Sequence, residues 1–249
     1  MSEKFFHKLY EERTKSFQEL IPYPDEILTC YKEFDAKLKK PDLLGKTINV
    51  NKKQFPKLFY RVDKLSSYSG IDTPKISLYE DYCYGVEAKG ADNSRIEISA
   101  KTLNDFSDIE LDFLICREIC RIKYGMVKQT AIGEQVLRML NDTNIIPGIG
   151  TLKDSFQIVY SSWSRTSHYT ADCYGYMMVK DITLCIKAIL SLIMNNRELV
   201  NEINIPEYLK QMKDIYMLDD VISRFSENDE KIPYGPLRIK NLLAYATLN

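Results

Sequence analysis

The chain lacks an excess of charge of either sign: 34 Lys and Arg stand against 35 Asp and Glu in 249 residues. This balance leaves no electrostatic footprint for nucleic acid or for an anionic membrane surface. A long apolar run is also missing. The most apolar stretch, Ile182 to Met194, is interrupted by Lys187 and is too short to span a bilayer. The opening residues, MSEKFFHKLYEERTK, contain no apolar core of a secretory leader. Six cysteines without a leader point to reduced thiols and a cytoplasmic location. Histidine is nearly absent, with only His7 and His168. There are no internal repeats and no low-complexity tracts.

What is present is ordinary globular composition, 45% hydrophobic and 28% charged, enough for one large domain or one domain with a helical extension. Apolar spacing predicts helices over Lys4–Leu20, Asp25–Lys39 and Gln54–Tyr68. Three short strands follow, Lys75–Tyr79, Tyr84–Lys89 and Arg95–Ser99, the first two at hairpin distance. Beyond Ala100 the pattern is almost wholly helical. Ser107 and Glu110 form a capping box, flanked by Phe106 and Leu111 as a hydrophobic staple, and open a helix that runs to about Tyr124. Further helices are expected at 127–141, 164–180, 182–195, 206–215 and 236–246, with loops at 144–150 and 226–235.

Two segments carry the chemistry. Glu110 to Gly125 reads ELDFLICREICRIKYG, and Arg165 to Gly175 reads RTSHYTADCYG. The first has the outline of a His-Glu-x-x-His helix, in which two His at i and i+4 hold one zinc and the Glu between them polarises its water. Here those positions are Arg117, Glu118 and Arg121. The second is similar to Arg-x-x-Glu-x-x-Ala-Asp-x-x-Gly. Arg165, Ala171, Asp172 and Gly175 match it, and His168 stands at the Glu position.

Together they resemble the HtpX-type and CAAX-prenyl-protease-type zinc metallopeptidases. Phe55–Asp81, Tyr84–Gly90 and Arg95–Leu103 are similar to the segments before that family's zinc helix. Pro233, Arg238 and Ile239 match a His-Pro-Pro-x-x-x-Arg-Ile pattern, with Ile232 in place of His. The resemblance implies an α+β, zincin-like fold, mostly helical with one small mixed sheet. It covers about residues 53–246. A metallopeptidase-like domain is therefore expected over 53–249, with 1–52 as an N-terminal helical extension. It further implies that Arg117, Arg121 and His168 occupy former ligand positions, that Glu118 is the remnant of a general base, and that Asp172 and Arg165 lie behind the ligands.

Guanidinium has no lone pair to give and stays protonated, so two arginines at ligand positions bring positive charge to where a dication would sit. No metal and no cofactor are expected. Buried arginines need carboxylate partners, and Glu118 and Asp172 are the ones at hand. Two readings follow: an ion-pair cluster that cross-links helices, or a small-anion grip formed by Arg117, Arg121 and His168. Cys116, Cys120 and Cys173 admit a Cys₃ metal site but read better as small buried hydrophobes. His7, on a polar helix, is expected to be solvated. Trp163 and the 17 tyrosines are expected at helix interfaces or along the cleft. The function expected is that of a non-catalytic metallopeptidase-like protein binding a peptide or protein partner. The alternative is an active hydrolase using Glu118, His168 and Asp172.

Overall fold

A computed structural model describes residues 4–35, 37, 44–142, 149–217 and 230–248. The chain begins irregularly and enters α1 at Tyr10–Glu19, followed by α2 (Pro24–Phe34), β1 (Thr47–Val50) and α3 (Pro56–Ser69). Then come β2 (Lys75–Tyr79), β3 (Val86–Lys89), β4 (Arg95–Ser99) and the short α4 (Ala100–Asp105). The rest is helical: α5 (Asp108–Lys123), α6 (Met126–Asp142), α7 (Ile149–Val179), α8 (Ile182–Met194), α9 (Arg197–Val200), α10 (Ile205–Met217) and α11 (Gly235–Leu248). The fold is α+β, mostly helical with one four-stranded mixed sheet. No helix among the described residues is long and apolar enough to cross a membrane.

The sheet order is β1-β2-β4-β3. β2 and β4 run parallel, with Ile76 opposite Ile96, and β1 and β3 flank them antiparallel. The expected β2–β3 hairpin does not form. β3 passes beyond β4 and becomes an edge strand, because the parallel pair buries the alternating Ile76, Leu78, Ile96 and Ile98 together. β1 was not foreseen, since only Val50 of its four residues is buried. It joins the sheet from within the expected N-terminal extension. Phe5, Phe17 and Val50 belong to the same hydrophobic cluster as the later strands and helices.

α5 is the axis of the molecule. It opens on a capping box in which Ser107 and Glu110 serve each other's backbone donors, and the opening is acidic while the last turn carries Arg121 and Lys123. Its residues from Phe113 to Arg121 are all buried, so this helix is enclosed on every side instead of presenting one apolar stripe. Its most extensive neighbour is α7. α7 starts about four turns before the expected 164, and its first residues take up the end of the expected 144–150 loop, of which 144–148 lie outside the described residues. Residues 36 and 38–39 of the second expected helix and 226–229 of the later loop lie outside them too.

The α5–α7 contact is close because Gly175 allows it. A Cβ built there would stand 2.8 Å from Phe113 Cδ2 and 2.9 Å from Arg117 Cγ, below any real contact distance. Gly175→Val should therefore cost about 1–3 kcal/mol, as overpacking does. A shift of the urea midpoint to lower concentration is the expected result, and an unchanged midpoint would mean the helices lie farther apart.

Candidate functional site

α5 presents Arg117 and Arg121 one turn apart on one face, with Glu118 beside them. α7 presents His168 and Asp172 one turn apart facing α5, and α11 adds Arg238. Arg117, Glu118, Arg121, His168, Asp172 and Arg238 are all buried. Asp172 holds two arginines. Arg117 Nε donates to Oδ1 at 2.5 Å, and Arg238 donates from Nη2 to Oδ1 at 2.8 Å and from Nε to Oδ2 at 2.9 Å. Glu118 holds the rest: Arg121 Nη1 donates to Oε2 at 2.9 Å, and Arg117 Nη1 lies 3.7 Å from Oε1. The same Oε2 accepts the backbone N–H of Ala88 on β3 at 2.8 Å, which ties the edge strand to the helix.

The expected pairing of the two arginines with Glu118 and Asp172 is thus met, Arg117 on Asp172 and Arg121 on Glu118, and Arg238 is a second partner of Asp172. Arg165 does not join the cluster. It stands two turns before Asp172, about 10 Å along the helix, and its Nη1 donates to the Glu230 carbonyl at 2.9 Å. Arg238 was visible in the sequence as part of a pattern, but nothing there gave it a partner.

Burial alone would push the Asp172 carboxyl up. Arg238 and Arg117 more than offset this and hold it below the ordinary carboxylate range. His168 goes the other way. Burial first, then the positive charges of Arg121, Arg117 and Arg238, push its pKa well below 6.5, so the ring is neutral. Its Nδ1 lies 3.4 Å from Arg117 Nη2. Guanidinium only donates, so Nδ1 accepts and the proton sits on Nε2.

These residues do not fit a zinc ion. Arg117 and Arg121 are cations, and His168 turns its lone pair to a guanidinium. Both carboxylates are engaged by arginines, and breaking those pairs would leave buried charges unmatched. The cysteines offer no substitute. Burial pushes Cys116 and Cys173 up to about 12 and Cys120 well above its ordinary value, so these thiols stay protonated and poor as ligands. Among the described residues no three His, Cys, Asp or Glu side chains are placed to hold a metal ion.

The cluster floors a cleft of about 550 Å³. β3 forms one wall with Gly85, Val86 and Glu87, and Leu192, Ile193 and Ile232 form an apolar end. Trp163 is fully buried and stacks on Phe17 and Tyr160, and Tyr160 lines the cleft. His7, expected in solvent, is half-buried instead. Its ring stacks on Tyr169 at 5.1 Å and its N–H donates to Thr170 Oγ1 at 3.1 Å. The cause is the Phe5–Phe6 pair, which inserts against Tyr124 and Tyr174 and draws the chain start onto α7.

This arrangement has a counterpart of known structure. The chain superposes on S. mikatae Ste24p with a TM-score of 0.54 and 13% identity, over 86% of this chain and 55% of that one. The likeness is one of fold. No family profile matches the sequence, and no curated protein matches it.

The cluster sets two expected outcomes. Asp172→Ala strips the partner from two buried arginines and should cost about 3–5 kcal/mol, read from a urea transition. An unchanged midpoint would mean the arginines are satisfied elsewhere. Acid should also destabilise the fold in two stages. A His held below its ordinary pKa binds fewer protons folded than unfolded, so stability falls as pH drops below about 6.5. Asp172, held low, contributes stability above about pH 3.9 that is lost below it as the carboxyl protonates. His7 is lowered too, so His168→Gln should reduce the loss between pH 6.5 and 5 without abolishing it. Identical pH profiles of the melting temperature would contradict a buried neutral His168.

Proposed function

We propose that this chain is a metallopeptidase-like protein without zinc catalysis, a pseudopeptidase that uses the retained cleft to bind a peptide or protein segment. Support for the relationship comes from the motif order in the sequence together with the fold of Ste24p, a CAAX prenyl protease zinc metallopeptidase. On this reading the fold is zincin-like, and Arg117, Arg121 and His168 stand where such an enzyme carries its ligands. Residues 53–249 are the metallopeptidase-like domain and 1–52 an added N-terminal part.

One observation carries the loss of catalysis: the carboxylate at the general-base position stands among guanidiniums where a zincin base would find a metal-bound water. Glu118 Oε2 accepts from Arg121 and the Ala88 N–H, and its Oε1 lies 3.7 Å from Arg117 Nη1. The base of such an enzyme works on a water activated by the metal, and the positive charges beside Glu118 repel a dication. The same pairing weighs against an active hydrolase built on Glu118, His168 and Asp172. Asp172 is locked by two guanidiniums, and His168 turns its lone pair to one of them, Arg117, which cannot take a proton from it.

Peptide binding is supported by the cleft beside an edge strand. Alternation along β3 turns the N–H and C=O of Glu87 and Lys89 toward β4 and those of Val86 and Ala88 away from it. The Ala88 N–H is already taken by Glu118, so Val86 is the position at which an extended segment can add to this edge. A small anion at Arg117, Arg121 and His168 is the second reading, favoured by the surplus of guanidinium over carboxylate. If phosphate or chloride alone fills the site, each will raise the melting temperature in a saturable way that Arg121→Gln abolishes.

The catalytic claim has a direct test. Calorimetric titration should find no tight zinc site in the purified protein, and proteolysis sensitive to a chelator should be absent. The triple change Arg117→His, Arg121→His and His168→Glu should gain zinc affinity more readily than activity, since outer-shell geometry tunes both. Tight zinc binding by the unaltered chain that is lost in His168→Ala would overturn the reading, and loss in Cys116→Ser/Cys120→Ser would place the metal on the thiols.

A further inference from the structure

The cleft has two unlike parts. Its floor is charged and buried, and one end is apolar, with Ile193 46% and Ile232 54% exposed to solvent. The charges of the floor do not balance. Arg117, Arg121 and Arg238 face only Glu118 and Asp172, and His168 is neutral. On the walls Glu87, at 3.2 Å from Lys89, shares that ammonium with Glu97, at 2.9 Å, and adds a longer-range attraction for Arg121, while the half-buried Glu134 and Lys231 offset each other in sign. Within the buried floor three guanidiniums face two carboxylates.

Arg121 is the guanidinium of the floor with an unmet donor. Arg117 and Arg238 share Asp172, whereas Arg121 bonds to Glu118, which also serves Ala88 and Arg117, and reaches Thr130 Oγ1 from Nη2 at 3.4 Å. Arg121 lines the cleft, and its Nε–H is buried with no acceptor among the described residues. A buried guanidinium short of acceptors is costly, and a bidentate carboxylate is the group that fits its fork.

We infer that the cleft takes an extended peptide bearing an acidic side chain, with that carboxylate on Arg121 and an aliphatic neighbour against Ile193 and Ile232. This rests on the peptide-cleft reading above and adds the sequence that the cleft selects. A peptide is favoured over a free organic acid on two grounds. The strand edge at Val86 offers backbone pairing that only a chain can use. The cavity of about 550 Å³ also spans floor and apolar end together, a volume for several residues.

The test uses fluorescein-labelled nonapeptides identical but for one central residue, Glu, Gln or Lys, flanked by Val and Leu. Anisotropy on the full chain should show the Glu peptide binding about tenfold or more tighter than Gln, the scale of one charge-assisted contact, with Lys weakest. Arg121→Gln should erase the Glu preference. Should that variant fail to fold, Glu118→Gln serves instead: it leaves Arg121 without its carboxylate, and the Glu preference should widen. Equal binding of Glu and Gln peptides, lost in Ile193→Asp, would keep the peptide cleft and end the acidic preference. No binding of any of the three, or binding untouched by Ile193→Asp and Val86→Pro, would end both. N-acetylglutamate binding as tightly as the Glu peptide would make this a small-acid site and overturn the peptide assignment.

Discussion

Asp172 is the constraint on which the rest of the molecule turns. It is fully buried and accepts three hydrogen bonds from two arginines that reach it from different helices. In this way α5, α7 and α11 are fixed to one carboxylate, and α5 in turn carries Glu118, which fixes the edge strand β3. Where a zincin would place a dication among neutral and anionic ligands, this chain places three guanidiniums and two carboxylates. Both devices cross-link the same kind of elements. The difference is that an ion-pair cluster leaves no open coordination position and no activated water.

Such a cluster is not the cheapest way to hold helices together. Replacing buried ion pairs with apolar groups of like volume is often neutral or stabilising, while removing one member is strongly destabilising. The cluster therefore makes the arrangement specific rather than more stable. It also keeps a polar floor under a cleft of about 550 Å³ that apolar packing would have filled.

Much of this was legible in the residues because it is local. Ser107 and Glu110 mark the start of α5 without tertiary information, and the i, i+4 spacing of Arg117 with Arg121 and of His168 with Asp172 puts each pair on one face. What was not legible is non-local. The parallel pairing of β2 with β4 displaces β3 to the edge, and no turn residue announces it. β1 buries one side chain of four, so it has no alternating pattern to read. Arg165 and Arg238 look equally suitable as partners of Asp172. Only the rise of α7, which carries Arg165 two turns away, and the approach of α11 decide between them. The aromatic insertion of Phe5 and Phe6, which buries half of His7, depends on Tyr124 and Tyr174 meeting in space.

The central claim is that Arg117 and Asp172 form a direct, buried coupling between α5 and α7. A double-mutant cycle with Arg117→Met and Asp172→Leu measures that coupling by urea denaturation of the wild type, both single variants and the double variant. The account predicts a coupling of about 1–3 kcal/mol, with the double variant more stable than the sum of the single losses allows. Strict additivity, with coupling near zero, would contradict it.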